Sequence, residues 1–237
     1  MKPFKFGDKK FLVPALITPL LMAPMGISAA ELDIKITNIT SGLIFTPLLI
    51  TGHTADNPLF HSGTSASAGL ELVAESGSND HLLTETTNAG AIAVNNPANG
   101  LLLPGDSVST NISTSDNQMY LSIVGMILPS NDGFVGLDSW KIPTTPGTYN
   151  IRLNAYDAGT EANDELRASM PVPPPLSSGV LALGTNGTGV INTIPNDKVH
   201  IHPGSVGDFN PTGGISDINA AVHRWLNPVA AVTVTVR

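Results

Sequence analysis

The chain closes on the stretch Val229-Ala-Ala-Val-Thr-Val-Thr-Val236, in which valine alternates with alanine or threonine. Side chains of a β-strand point to opposite faces with a period of two, so this pattern predicts a strand with one apolar face. The same period appears in Glu31–Thr40, Val108–Ser113 and Tyr149–Tyr156. Several such runs separated by turn residues are typical of all-β chains, and they predict an antiparallel β-sandwich.

The segments between these runs fit the same architecture. Leu43–Thr51 is a continuous run rich in leucine and β-branched residues, and Met119–Leu128 is apolar apart from Ser122, and both are typical of strands. Ser67–Glu75 and Ser216–Leu226 predict two short helices, the second with Ser216 as its N-cap and with Ile218, Ala221, Val222 and Trp225 on one face. The proline-rich segment Met170–Ser178 predicts an exposed loop, because proline donates no hydrogen bond to a β-ladder.

Composition excludes several classes of protein. The 237 residues contain no cysteine, which removes disulfides, thiolate catalysis and cysteine-ligated zinc sites. The formal net charge of -8 disfavours binding to nucleic acid, and the 13% content of charged residues is too low for a coiled coil.

The first thirty residues have the pattern of a secretory signal peptide. Four lysines precede an apolar run over residues 11–27, and the small residues Ser28-Ala29-Ala30 follow it. The run is short and holds three prolines, so it does not predict a transmembrane anchor. We expect cleavage after Ala30, a mature domain spanning residues 31–237, and a secreted or periplasmic location without a transmembrane segment. The leader carries a net charge of +3, so the mature chain would carry -11.

Two turns that follow predicted strands carry acidic residues. Asp132 lies in Pro129-Ser-Asn-Asp-Gly133, and Asp157 and Glu161 flank the turn in Tyr156-Asp-Ala-Gly-Thr-Glu161. If both turns lie at one end of the sandwich, their carboxylates supply the hard oxygen ligands that Ca²⁺ prefers. The spacing also permits two other interpretations, namely solvated turn residues and a glycosidase-type acid/base pair, which would require a deep cleft beside Asp157.

The same two motifs resemble the spondin N-terminal domain family. The resemblance rests on Pro129-Ser-Asn-Asp-Gly-Phe-Val-Gly136, on Tyr156-Asp-Ala-Gly-Thr-Glu161 and on the closing Pro228-Val-Ala-Ala-Val-Thr-Val-Thr235. The segments 34–40 and 66–75 resemble bacterial members, so the resemblance extends from about residue 32 to the end of the chain.

The resemblance implies a sandwich similar to calcium- and lipid-binding domains, with one Ca²⁺ at a sheet end, and a role in adhesion or recognition without catalysis. The ligands it implies are Asp132, Asp157 and Glu161, where Glu161 departs from the aspartate usual in animal members. Whether Asp138 or Asp164 joins the site stays open. The partner would be an extracellular protein or a glycan that the sequence does not identify.

A rival interpretation uses the histidines. His200 and His202 are two apart on a predicted strand and therefore share a face, and His223 on the second predicted helix is a candidate third ligand. Such a set would make the chain a zinc- or copper-binding sandwich protein or a metalloenzyme.

Overall fold

The computed structural model describes Met1 and residues 29–170, 197–210 and 214–237. The predicted leader, apart from its two ends, and the predicted proline-rich loop beyond Met170 lie outside the described residues. The cleavage position and the domain boundary therefore stay predictions, although the first strand begins at Glu31.

The described residues form ten strands and three short helices, which confirms the all-β prediction. The strands are β1 (Glu31–Asn38), β2 (Ile44–Phe45), β3 (Leu49–His53), β4 (Ile92–Asn95), β5 (Ser107–Ser113), β6 (Tyr120–Leu128), β7 (Gly133–Lys141), β8 (Gly147–Asp157), β9 (His200–Ile201) and β10 (Ala230–Val236). The helices are α1 (Ala68–Ser76), α2 (Asp80–Asn88) and α3 (Ala220–His223).

The strands pair antiparallel in the order β4-β3-β6-β7-β8-β10-β1-β5, with β2 added on β6 and β9 on the end of β8. The long strand β8 pairs with β10 along its first part and with β7 along its last four residues. It therefore passes from one layer of the sandwich to the other, and its C-terminal end lies beside the start of β7.

The closing strand behaves as its alternation predicts. Ala230, Val232, Val234 and Val236 are buried while the residues between them are partly exposed. In β1 the inward positions include Leu32, Ile34 and Ile36, which lie opposite Val236, Val234 and Val232. These two strands form the centre of the larger apolar core.

The apolar strand β6 is buried on both faces along nearly its whole length. Leu121, Ile123 and Ile127 belong to the core between the layers, whereas Val124 on the opposite face belongs to a second core beneath the helices. The helix α1 supplies Leu70 and Val73 to that second core. A strand covered on both sides has no polar face, which explains why β6 shows no alternation.

The two predicted helices have different outcomes. The first is confirmed, because α1 starts after the N-cap Ser67, whose Oγ accepts a hydrogen bond from the amide of Leu70 at 3.2 Å. The second is wrong over most of its length, since only Ala220–His223 is helical and its N-cap is Asn219. Ser216 instead donates from Oγ to Glu165 and accepts from the amide of Ile218, contacts that hold an irregular loop.

None of the helices in the described part of the chain has the length and apolar character needed to span a bilayer.

Candidate metal centre

The three predicted acidic residues lie at one end of the sandwich. Asp132 directly precedes β7, Asp157 is the last residue of β8, and the pairing of Gly133 with Asp157 places the two positions side by side. The chain continues from Asp157 through a tight turn to Glu161. All three residues are buried, with exposed fractions of 0%, 2% and 3% for Asp132, Asp157 and Glu161.

Asp132 is covered by the turn that follows β8. Its Oδ2 accepts hydrogen bonds from the amides of Thr160 at 2.8 Å and Glu161 at 3.1 Å, and from Oγ1 of Thr160 at 3.3 Å. Its Oδ1 is also buried, but no described residue donates a hydrogen bond to it. A buried carboxylate oxygen without a donor is costly unless a cation or a proton satisfies it.

Asp157 organises the turn in which it lies. Its Oδ1 accepts from the amide of Gly159 at 2.8 Å, and its Oδ2 accepts from the side-chain amide of Asn163. Gly159 has a φ of +74°, and a Cβ there would lie 2.7 Å from the backbone nitrogen of Lys198. Glycine is therefore required for the turn to bring Glu161 back over Asp132.

The electrostatics of the cluster favour a positive charge. Burial, together with the negative charge of Asp157, raises the pKa of Asp132 to about 6, although the hydrogen bonds from Thr160 and Glu161 oppose the shift. The ring of His200 lies near the pair, with its Nε2 3.7 Å from Oδ2 of Asp157. Two adjacent buried carboxylates repel each other, and a bound cation would relieve both the repulsion and the loss of hydration.

The side chains are not pre-assembled around a single point. Among the described residues, no group of three or more histidine, aspartate or glutamate side chains is arranged so that it could hold a metal ion. The acidic residues thus share a buried sheet end, as the sequence predicts, but binding of an ion would include reorientation of at least one carboxylate.

The two neighbouring aspartates considered from the sequence have other partners. Asp138 accepts a hydrogen bond from Nδ1 of His61 at 2.7 Å. Asp164 accepts from the side chain of Asn131 at 3.2 Å and from the amide of Leu166 at 2.9 Å, so it ties the loop of Asp132 to the chain after Glu161.

The three histidines of the rival interpretation occupy different environments. His202 is 5% exposed and its ring lies 4.9 Å from that of Trp225, whereas His200 points its Nδ1 at the carbonyl of Lys198, 2.9 Å away. His223 lies at the end of α3. In the described part of the chain, these histidines do not form a group that could hold a metal ion either.

The space beside the acidic residues is small. Next to the site lies a cavity of about 10 Å³, which is lined by Ser130, Asn131, Asn163, Glu165, His202, Ser205 and Ile218. This volume is close to the minimum for one water molecule and does not admit a sugar ring.

Several residues that support the site were missed at the level of sequence. Thr160, Asn131 and Asn163 hold the acidic side chains or their loops in place. His202, which the sequence offered only as a metal ligand, lines the adjoining cavity. The cluster of asparagine, serine and threonine around the acidic residues is a compositional signal, but such residues are also ordinary in turns.

Comparison with protein families gives a match over the central part of the chain. A protein-family model described as Spondin_N matches residues 38–170, which is more than half of the 237 residues. A search of curated proteins finds no match. The matched range includes Asp132, Asp157 and Glu161, and it ends before His200, His202 and His223.

Proposed function

The chain belongs to the spondin N-terminal domain family, and we propose that it is an exported recognition module in which Asp132, Asp157 and Glu161 bind one Ca²⁺. Family membership supports an extracellular, recognition-type role. In this proposal the module acts by binding a protein or glycan partner in the periplasm or outside the cell, and not by catalysis.

The observation that carries the calcium proposal is the burial of Asp132 beside Asp157. The Oδ1 of Asp132 has no hydrogen-bond donor among the described residues, and burial raises the pKa of this group. All of the proposed side-chain ligands are carboxylates, which suit Ca²⁺ because this ion takes six to eight oxygen ligands in flexible geometry. Backbone carbonyls and water would supply the remaining oxygens.

The proposed mechanism is mechanical. The ion would tie the loop before β7 to the turn after β8, and the chain beyond Glu161 would be held with them. Glu165 already accepts hydrogen bonds from the amides of Val206 at 2.6 Å and Gly207 at 2.8 Å, so the tie would extend to the loop that precedes α3. A partner would then meet a rigid surface, which lowers the entropic cost of binding.

A thermal melt with calcium and with chelator tests this proposal. At a calcium concentration about 100 times the dissociation constant, mass action stabilises the folded state by about 2.7 kcal/mol. For a domain of this size we expect the midpoint to rise by about 5–10 °C. The substitution Asp157→Asn removes a ligand charge and should abolish the rise.

The matched control is Asp56→Asn, an exposed aspartate in the loop after β3, which should keep the full calcium-dependent shift. An unchanged midpoint in the parent chain, together with no heat of calcium binding in calorimetry, would overturn the calcium proposal. If Asp157→Asn retained the shift, Asp157 would not be a ligand.

A further inference from the structure

His202 is a buried histidine beside the candidate metal centre, and its contacts are well defined. Its backbone amide donates to the carbonyl of Ala155 at 3.0 Å, two residues before Asp157. Its ring lies 4.9 Å from that of Trp225 with a tilt of 48° between the two planes, and its Cδ2 would lie 3.3 Å from a Cβ built on Gly133. The ring is therefore wedged between the start of β7 and the chain that leads into β10.

The hydrogen bonds of the ring identify its tautomer. The amide of Gly204 donates to Nδ1 of His202 at 3.0 Å, so Nδ1 presents its lone pair and carries no proton. In a neutral imidazole the proton is then on Nε2. Burial and the nearby His200 lower the pKa of His202 to about 4 against the opposing effect of Asp157 and Glu165, so the ring is neutral at pH 7.

The Nε2–H of His202 is a buried donor, and no described residue accepts its hydrogen bond. His202 also lines the small cavity next to the acidic cluster. Another wall of that cavity is Asn163, whose side chain holds Asp157, and a third is Asn131, the residue before Asp132. The cavity of about 10 Å³ has room for a single water-sized oxygen.

We propose that His202 is a positioning residue of the candidate calcium site, which donates from Nε2–H to one water in this cavity, and that it is not a metal ligand. This inference rests on the proposed function. A histidine ligates a metal through a nitrogen lone pair, and the lone pair of His202 is already engaged by Gly204. The site is then made of oxygen ligands alone, and it selects a hard cation such as Ca²⁺ over Zn²⁺.

The first experiment reads the tautomer directly. In a sample labelled with ¹⁵N at histidine, long-range proton–nitrogen NMR spectra distinguish a protonated Nε2 from a protonated Nδ1. We expect the Nε2–H form in chelator, in calcium and in zinc. A protonated Nδ1, or a zinc-dependent shift of Nε2 into the metal-bound range, would overturn the inference.

The second experiment measures calcium affinity by calorimetry in two variants of this position. His202→Gln retains an amide that donates and an oxygen that accepts, whereas His202→Met fills a similar volume without either group. Loss of a group that orients a metal site costs about 10–100-fold in affinity, so we expect this loss for His202→Met and partial recovery for His202→Gln. The exposed His81→Ala on α2 is the control and should bind as the parent chain does.

The outcomes separate this inference from the proposal on which it rests. If the parent chain binds no calcium, the proposed function fails. If the parent chain binds calcium and folded His202→Met binds equally well, only the role of His202 fails. A purely structural role would lower the melting midpoint of His202→Met in chelator and leave its calcium affinity unchanged.

Discussion

At the scale of single residues, polar side chains that the chain buries completely hold the loops of the sandwich. Asn38 at the end of β1 donates from Nδ2 to the carbonyls of Leu43 and Leu102, and its Oδ1 accepts from Thr40. His53 at the end of β3 has both ring nitrogens engaged. Each of these groups has a hydrogen-bond partner, as buried polar groups usually do, which sets them apart from Oδ1 of Asp132.

The ring of His53 makes the folded state sensitive to acid. Its Nδ1 donates to the carbonyl of Thr54 and its Nε2 accepts from Oγ of Ser122, both at 2.7 Å, which suits a neutral ring. Burial lowers the pKa of His53 below that of an unfolded histidine, despite the opposing hydrogen bond to Thr54. The unfolded chain therefore binds a proton first, and stability present above about pH 6.5 is lost as the pH falls towards the folded-state pKa.

We predict that His53→Gln loses less unfolding free energy than the parent chain when the pH falls from 7.5 to 5.0, as measured by urea denaturation in chelator. The variant must be compared with the parent chain, because the raised pKa of Asp132 increases the unfolding free energy of both proteins as the pH falls. His81→Gln, at an exposed position, should keep the parental pH dependence. An identical pH dependence in His53→Gln would show that His53 does not carry this effect.

At the scale of elements, the helices α1 and α2 pack closely because a glycine lies between them. A Cβ on Gly69 would lie 2.7 Å from Cα of Leu82, and it would also overlap the carboxylate of Glu85. The carboxylate of Glu85 meets Ser67, the N-cap of α1, at 3.0 Å. The start of α1 is thus held to α2 by both contact and hydrogen bonding.

This packing reverses the usual effect of a glycine-to-alanine substitution inside a helix. Such a change normally stabilises an exposed helix by about 0.5–1 kcal/mol. For Gly69→Ala we predict a loss of about 1–3 kcal/mol in unfolding free energy, because the backbone of α2 would have to move. Glu71→Ala on the exposed face of α1 should stay within about 0.5 kcal/mol. If Gly69→Ala were more stable than the parent chain, the two helices would be able to move apart without a loss of unfolding free energy.

The elements that sequence reasoning missed lacked a clear period. The strand β7 includes two glycines and the polar residues Asp138 and Ser139, and its first five residues are all buried, so no alternation is visible. The helix α2 buries only Leu82 and Thr86, and apart from Leu83 its other residues are polar. By contrast, β1, β5, β10 and the first part of β8 alternate between inward and more exposed positions, and their patterns predicted them as strands.

At the scale of the whole molecule, the last strand of the chain holds the two ends of the fold together. β10 lies between β8 and β1, and it pairs over seven residues with each of them. The strands β1 and β5 reach the rest of the sheet through this pairing. The four inward-facing residues of β10, which include Val232 and Val234, also belong to the larger apolar core.

We predict that a chain shortened to residues 1–229 does not fold cooperatively. Removing β10 exposes the apolar faces of β1 and β8 and leaves their facing backbone groups without partners. Circular dichroism should show no sigmoidal thermal transition. Arg237→Ala serves as the control, because its exposed ion pair with Asp33 contributes at most about 1 kcal/mol. A cooperative melt of the shortened chain would show that the sheet closes without β10.

The amino-acid sequence by itself determined the all-β class, the alternating strands, the helix after Ser67 and the identity of the acidic turns. These properties follow from local periodicity and from short motifs, which depend on neighbours in the chain. Only the tertiary structure decided that Asp132 and Asp157 are adjacent and buried, because strand order and register bring together positions that are distant in sequence. It also placed His202 beside them as a donor, since the tautomer of a histidine depends on its spatial partners and not on its position in the sequence.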